Sequence, residues 1–356
     1  MKRFPLVLLV LLAAGVASAC GTGTSTNSWP GLAADADRVY LAGGQYVYAV
    51  RLTDGSKVWQ YPAEKAGAGL FYSPPVLTAD GQLLVGSSGS DNALLDLDAA
   101  TGQTKWPEPF VAANHWVAPP LVAGDTIYAA DNGGILYALD LATGTKQWST
   151  DLGSSVWGAP ATNGKLVFVA SLDHHLYAVD PQKQSVAWKL DLGGSAPGAV
   201  SLSSDGGTLY VGSFAKKVFA VDAASGSVRW TADVQDWVWG APTLDGDSVF
   251  AADIAGNVYS LGAPNGKNAW PNVQPDGPIT GSPLALGKGM LVATESGTVF
   301  SYDGTGAQLW NVSIGGQIYT TPVAAGDRIA VAPTGTDFLL AVLDQNGRLV
   351  WKFNNK

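Results

Sequence analysis

The 356-residue chain has one cysteine, two methionines and three histidines, and only 14% of its residues are charged. With Cys20 alone, no intrachain disulfide can form, so the fold must hold by packing. His115, His174 and His175 are a poor basis for a metal centre, because adjacent residues on a strand point to opposite faces. Basic residues are scarce: 20 Lys and Arg stand against 29 Asp and Glu, a formal charge of -9. No basic stripe is present to neutralise phosphates, which argues against nucleic acid as a partner and against electrostatic docking to anionic lipid. Helical periodicity is absent after the first twenty residues, and no later run reaches the ~18 apolar residues of a membrane span. Nor does the chain contain H-x-x-x-H, G-x-S-x-G or a phosphate-cradling glycine loop.

The N-terminus is a separate segment. Lys2 and Arg3 precede an apolar run from Phe4 to Val16, and Ala17-Ser18-Ala19-Cys20 forms a small-residue cleavage site. Residues 1–20 are therefore expected to be an export signal ending at Cys20. A cysteine in that place resembles the lipobox of bacterial lipoproteins, which implies that Cys20 is lipidated and heads the mature chain. Ala17 stands where that pattern usually has leucine, and ordinary cleavage after Ala19 would instead leave a free thiol. Loss of Lys2 and Arg3 leaves 18 basic against 29 acidic residues, a charge of -11. Residues 21–27, followed by Ser28, are small and polar; they read as a flexible tether with a reach of at most ~26 Å.

What the chain has in quantity is glycine, 44 residues, and tryptophan, 13. Eight of the tryptophans, Trp59, Trp106, Trp148, Trp188, Trp230, Trp270, Trp310 and Trp351, recur at intervals of 40 to 47 residues. Such a period marks an array of equivalent units. In the third unit, Ala118 to Trp148, alternating apolar segments are separated by the turns Gly124-Asp125, Asn132-Gly133-Gly134 and Thr143-Gly144. That spacing predicts a four-stranded antiparallel meander. A meander of this size cannot bury its own faces, so the units must stack. The expected fold is all-β: an eight-bladed β-propeller of four-stranded antiparallel blades over residues 28–356, with Trp351 docking on the first unit around Val39–Val50. Four residues before each Trp stands a glycine, except for Gln184 in the fourth unit, and it reads as a positive-φ turn residue. Asp98, Asp140 and Asp222, in D-x-x-[TS]-G, read as turn acceptors rather than calcium ligands, since they are spread over different units.

The unit G-x-[LIV]-[YF]-A-[LV]-D-x-x-[TS]-G-x-x-x-W resembles the repeat of the quinoprotein-type (PQQ-like) propeller family. Its Ala-to-Trp spacing is kept at Ala49/Trp59, Ala138/Trp148, Ala178/Trp188, Ala220/Trp230 and Ala341/Trp351; Asp96 and Ser260 fill the alanine slot before Trp106 and Trp270. The family includes enzymes that hold a quinone on the axis with calcium, an Asp base and, in many members, a pair of adjacent cysteines. This chain has no cysteine pair and lacks long insertions, so the resemblance implies a non-catalytic member without cofactor or metal.

One further pattern stands outside the repeat. FYSPP (71–75), WVAPP (116–120), VWGAP (156–160), VWGAP (238–242), ITGSP (279–283) and IYTTP (318–322) precede the opening strands. Aligned on proline, they put Tyr72, Trp157, Trp239 and Tyr319 at one position in the even units. The odd units carry Ser28, Val117, Ala196 and Thr280 there, with Trp29 and Trp116 displaced by one. Opening strands line a propeller's axis, so Tyr72, Trp116, Trp157, Trp239 and Tyr319 are expected to ring one mouth of the channel. There they either pack on each other as a plug or bind a ligand. The resulting expectation is a monomeric, exported, lipid-anchored scaffold with an envelope or membrane protein as partner. It would sit on the periplasmic face of an outer membrane, or on the outer face of the cytoplasmic membrane in a one-membrane cell. The alternatives are an extracytoplasmic receptor for a small ligand or glycan and, less favoured, a quinone-dependent dehydrogenase.

Overall fold

Thirty-one short strands and no helix form among residues 29–64, 69–71, 73–287 and 289–355, the part of the chain that the computed structural model describes. Cys20, the expected export signal and tether, and Tyr72 lie outside the described residues. The strands pair antiparallel in chain order into eight sheets, residues 31–61, 76–111, 121–151, 161–191, 201–233, 243–262, 284–313 and 323–353, here called blades 1 to 8. Together they make the eight-bladed propeller. Seven sheets have four strands and the sixth has three. The local cause is proline. Pro271 directly follows Trp270 and removes a ladder donor, so the outer strand of blade 6 is reduced to the bridges Val258↔Val273 and Leu261↔Asn268. Pro107 follows Trp106 in the same way, and the outer strand of blade 2 shrinks to Phe110–Val111.

There is no single core. The buried side chains fall into eight clusters, each shared by two adjacent blades, and the last joins Val342 and Leu340 of blade 8 to Val39, Leu41 and Val50 of blade 1. Every ladder is local and every core lies between blades.

The outer strand shows how the tryptophans serve this arrangement. In six blades its pairing shifts by one residue just before the Trp; Ala138 faces Trp148 while Leu139 faces Lys146, leaving Gln147 as a bulge. Each of seven indoles then lies on the turn glycine of the next blade. A Cβ at Gly102 would meet Trp59 at 2.6 Å, one at Gly144 would meet Trp106 at 2.6 Å, and one at Gly226 would meet Trp188 at 2.7 Å. The glycine thus has two duties, since these turns also take positive φ, 73° at Gly226. Gln184, the one substitute, adopts the same left-handed backbone at φ 54°. Six of the indole N–H groups donate to the next blade's turn carbonyls, as in Trp59 to Ala99 O (3.0 Å) and Trp230 to Ala263 O (2.9 Å), while that of Trp270 is buried without a partner. At ring closure Trp351 covers Gly55 and donates to Leu52 O at 2.9 Å, just beyond the Val39–Val50 segment that fills the core beneath it.

Three sequence-level details resolve here. Opposite Trp351 stands Val342 rather than Ala341, because the turn Asp344–Gly347 is one residue shorter than Asp140–Gly144. The carboxylates of Asp98, Asp140 and Asp222 are occupied by their own turns: each accepts from the backbone N–H and the hydroxyl of Thr101, Thr143 or Ser225, at 2.7–2.9 Å. Asp96, in the alanine slot, is 2% exposed; its Oδ2 accepts from Gln82 Nε2 at 2.6 Å and its Oδ1 has no partner. Burial pushes this carboxyl up to about 6.

Two predictions follow from these contacts. Gly226→Ala, with positive φ and an indole 2.7 Å from the new methyl, should cost about 3 kcal/mol. Gly246→Ala, with φ 56° and nothing within 4 Å, should cost about 1 kcal/mol. Urea titration reads the difference, and equal losses would show that the indole contact adds nothing. For Asp96 the unfolded carboxyl releases its proton near pH ~4 and the folded one near 6, so the native state binds more protons in between. Its penalty is complete above pH 6 and absent below pH ~4. Asp96→Asn should therefore stabilise the protein by about 2 kcal/mol at pH 8, with the gain fading as pH falls through that window. A gain independent of pH would point to a packing effect instead.

Candidate binding site at the channel mouth

The segments that join an outer strand to the next innermost strand run back to the axis over one face of the ring. They are tied there by a repeated bond from the turn between the two central strands: Asn132 N to His115 O (2.8 Å), Leu172 N to Ser155 O (2.9 Å), Phe214 N to Ser195 O (2.8 Å) and Ile254 N to Trp237 O (3.0 Å). With the loops fixed, the two leading residues of each motif diverge. The first enters the core between blades: Phe71, Trp116, Val156, Ala196, Val238, Ile279 and Ile318 are all at most 2% exposed. The second turns to the channel.

Strand register shows which residues share the channel position. They are Trp29, Val117, Trp157, Pro197, Trp239, Thr280 and Tyr319, one from each blade except the second. Trp29 and Pro197 hold the places that alignment on proline gave to Ser28 and Ala196. The first and fifth units have Leu32 and Val200 in place of proline, so that alignment slips by one. Trp116 is a correction of another kind. It is fully buried between blades 2 and 3, its Cβ against Gly86 and its N–H on Asn92 O at 2.8 Å, and it does not reach the channel. Tyr72, the second-blade member, lies outside the described residues.

The aromatic members lean across the axis toward one another. Trp29 stacks on Tyr319 with centroids 5.3 Å apart and planes 8° from parallel. It also meets Trp239 at 5.7 Å, and Trp239 meets Trp157 at 6.1 Å. Trp157 is oriented by its N–H, which donates to Asn132 Oδ1 at 2.8 Å. The group continues outward through Phe214, 5.3 Å from Trp239 and stacked at 4.8 Å on Trp237. Trp237 and Trp29 are 42% and 37% exposed. Neither Phe214 nor Trp237 belongs to the proline-aligned position, so alignment could not pick them out.

Beneath the aromatics lies an axial cavity of about 300 Å³ that draws residues from every blade. Its wall is narrow because glycines pack backbone to backbone: a Cβ at Gly158 would lie 2.4 Å from Gly198 O, and one at Gly240 would lie 2.6 Å from Gly281 O. In blades 5 to 8 hydroxyls stitch the inner rim. Thr243 Oγ1 donates to Pro283 O (2.6 Å), Ala241 N to Ser282 Oγ (2.9 Å) and Ser282 N to Thr321 Oγ1 (2.8 Å). In blades 2 and 3 the rim is proline, at Pro74 and Pro119. No Asp, Glu, Asn, Gln, His, Lys or Arg lines the cavity. A calcium-bound quinone needs carboxylate and amide donors on the axis, so these residues do not fit that group. Among the described residues no three His, Cys, Asp or Glu side chains gather as metal ligands, and no helix is long and apolar enough to cross a membrane.

A family model described as outer membrane protein assembly factor BamB matches residues 15–109, 109–204, 175–286 and 255–356. Among curated proteins the chain is similar to the assembly factor BamB of Legionella pneumophila (strain Paris), 30% identical over 127 residues, which are 35% of this chain and 30% of that protein. BamB of Burkholderia pseudomallei (strain K96243) is 27% identical over 121 residues, 33% and 30% of the two chains. The chain thus spans under a third of the length of these relatives. The crystal structure of BamB from Moraxella catarrhalis superposes with a TM-score of 0.72 at 20% identity, covering 87% of this chain and 92% of that one. The computationally designed Ika8 protein superposes with 0.74 at 14% identity, covering 92% and 96%; at such identities the likeness is one of fold. Taken with the tryptophan-docked blades, the family match along the whole propeller means that this chain belongs to the family of the outer membrane protein assembly factor BamB.

Proposed function

We propose that this protein is a non-catalytic scaffold of the cell envelope, anchored by a lipid on Cys20, that holds a membrane protein or its assembly machinery. The relatives it resembles are named for outer membrane protein assembly. The observation that carries the reading is the aromatic face. Trp237, Phe214, Trp239, Trp29, Tyr319 and Trp157 are linked ring to ring on one side of the propeller, with two of the indoles open to solvent. Exposed aromatics that are already packed in place lose little rotamer freedom on contact, which is why such residues form the centres of protein interfaces. A polar rim stands beside them, where Lys216 pairs with Asp236 at 3.2 Å. The partner sits over this face, and the lipid keeps the propeller near the membrane from which that partner is drawn.

Two experiments test the reading. A photo-crosslinking residue at position 237 should capture an envelope protein in native membranes, whereas one at position 143, in a turn between the two outermost strands, should not. Equal capture at both positions, or none at 237, removes the aromatic face as the docking surface. Cys20→Ser should abolish incorporation of labelled palmitate and move the protein from the membrane fraction to the soluble one. A Cys20→Ser protein that still sediments with membranes would end the anchor proposal.

A further inference from the structure

We infer that the axial cavity is a binding site for a neutral saccharide, of one or two rings. It shares Trp29, Trp157, Trp239 and Tyr319 with the aromatic face, so a bound saccharide and a docked partner would meet the same rings. Its two walls differ in kind. Blades 7 and 8 line it with five hydroxyl-bearing residues, Thr280, Ser282, Tyr319, Thr320 and Thr321. Thr320 Oγ1 is buried and has no hydrogen-bond partner within the protein. Ser282 and Thr321 accept backbone N–H bonds, and among the described residues neither gives its own proton to an acceptor. Thr320 Oγ1 is sealed from the cavity, so the protons of Ser282 and Thr321 are what a polar ligand would meet there. The opposite wall, from blades 3 to 5, is apolar, with Pro119 and Pro197, and the roof is the indoles.

A pyranose has this same division, with hydroxyls around its edge and C–H groups on its faces. Aromatic rings stack on those faces, and serine and threonine hydroxyls meet the edge. The ligand must be uncharged, because no ionised side chain lines the cavity and an unpaired charge would be stranded there. A volume of about 300 Å³ stands at the lower end of the range for small-molecule pockets, which limits the ligand to one or two rings.

The test uses the full-length protein with cellobiose and N,N′-diacetylchitobiose as probes, by calorimetry and ligand-observed NMR. At least one should bind saturably, one per chain, at millimolar concentration or below. Trp157→Leu removes a ring from the lining; it should weaken binding about fivefold while the far-ultraviolet circular dichroism stays unchanged. Glucuronate should bind about tenfold more weakly than glucose, the same ring without a charge. Absence of saturable binding by every neutral sugar overturns the inference. So does binding that Trp157→Leu leaves unchanged, or a preference for glucuronate over glucose.

Discussion

The contact on which the rest of the molecule depends is an indole lying flat on a glycine of the neighbouring blade. Each blade is a complete ladder, yet it has two apolar faces and no means of burying them alone. The outer-strand bulge tips the Trp sideways, the positive-φ glycine clears the space, and a turn carbonyl accepts the indole N–H. A large apolar ring removed from water contributes about 2–3 kcal/mol, and the contact recurs around the circle. In a chain with one cysteine, this repetition takes the place of crosslinks.

The same economy separates charge from the axis. Carboxylates cluster in the turns, where they accept backbone and hydroxyl hydrogen bonds; those of Asp98 and Asp222 are held below the usual carboxylate range, chiefly by side-chain partners such as Thr101 and Arg229. The channel instead has prolines, glycines, hydroxyls and indoles. Its polar capacity is neutral and its apolar surface is aromatic. A single face therefore presents linked aromatic rings, while the wall below it carries no ionised side chain.

Much of this was legible in the residues because it repeats. Eight spaced tryptophans and their glycines give the blade count, the strand order and the closing contact at Trp351. What proved harder to read depends on register, where one residue decides between core and channel. The pair Trp116-Val117 reads like Val156-Trp157 turned around, and only strand pairing shows that the first position is the wedge and the second the lining. The signal was present nonetheless, since every motif opens on an apolar residue, from Phe71 to Ile318. Leu32 and Val200, standing in for proline, hid Trp29 and Pro197 from alignment. Phe214 and Trp237 escaped because the equivalent positions hold Asn132, Leu172 and Ile254, and His115, Ser155 and Ser195, so no aromatic pattern marks them, and only the folded ring brings them to Trp239.

Every blade is cut from one unbroken stretch of chain, the first and the last included. No strand of blade 8 is borrowed from the other end, and among the described residues side chains fasten the circle: Trp351 on Gly55, Phe353 beside Tyr48, and Asn355 on Lys57 and Tyr48. Mechanically, such a ring is a chain of rigid links with a latch. The seam between blades 8 and 1 is the one join between neighbouring blades that no peptide segment bridges.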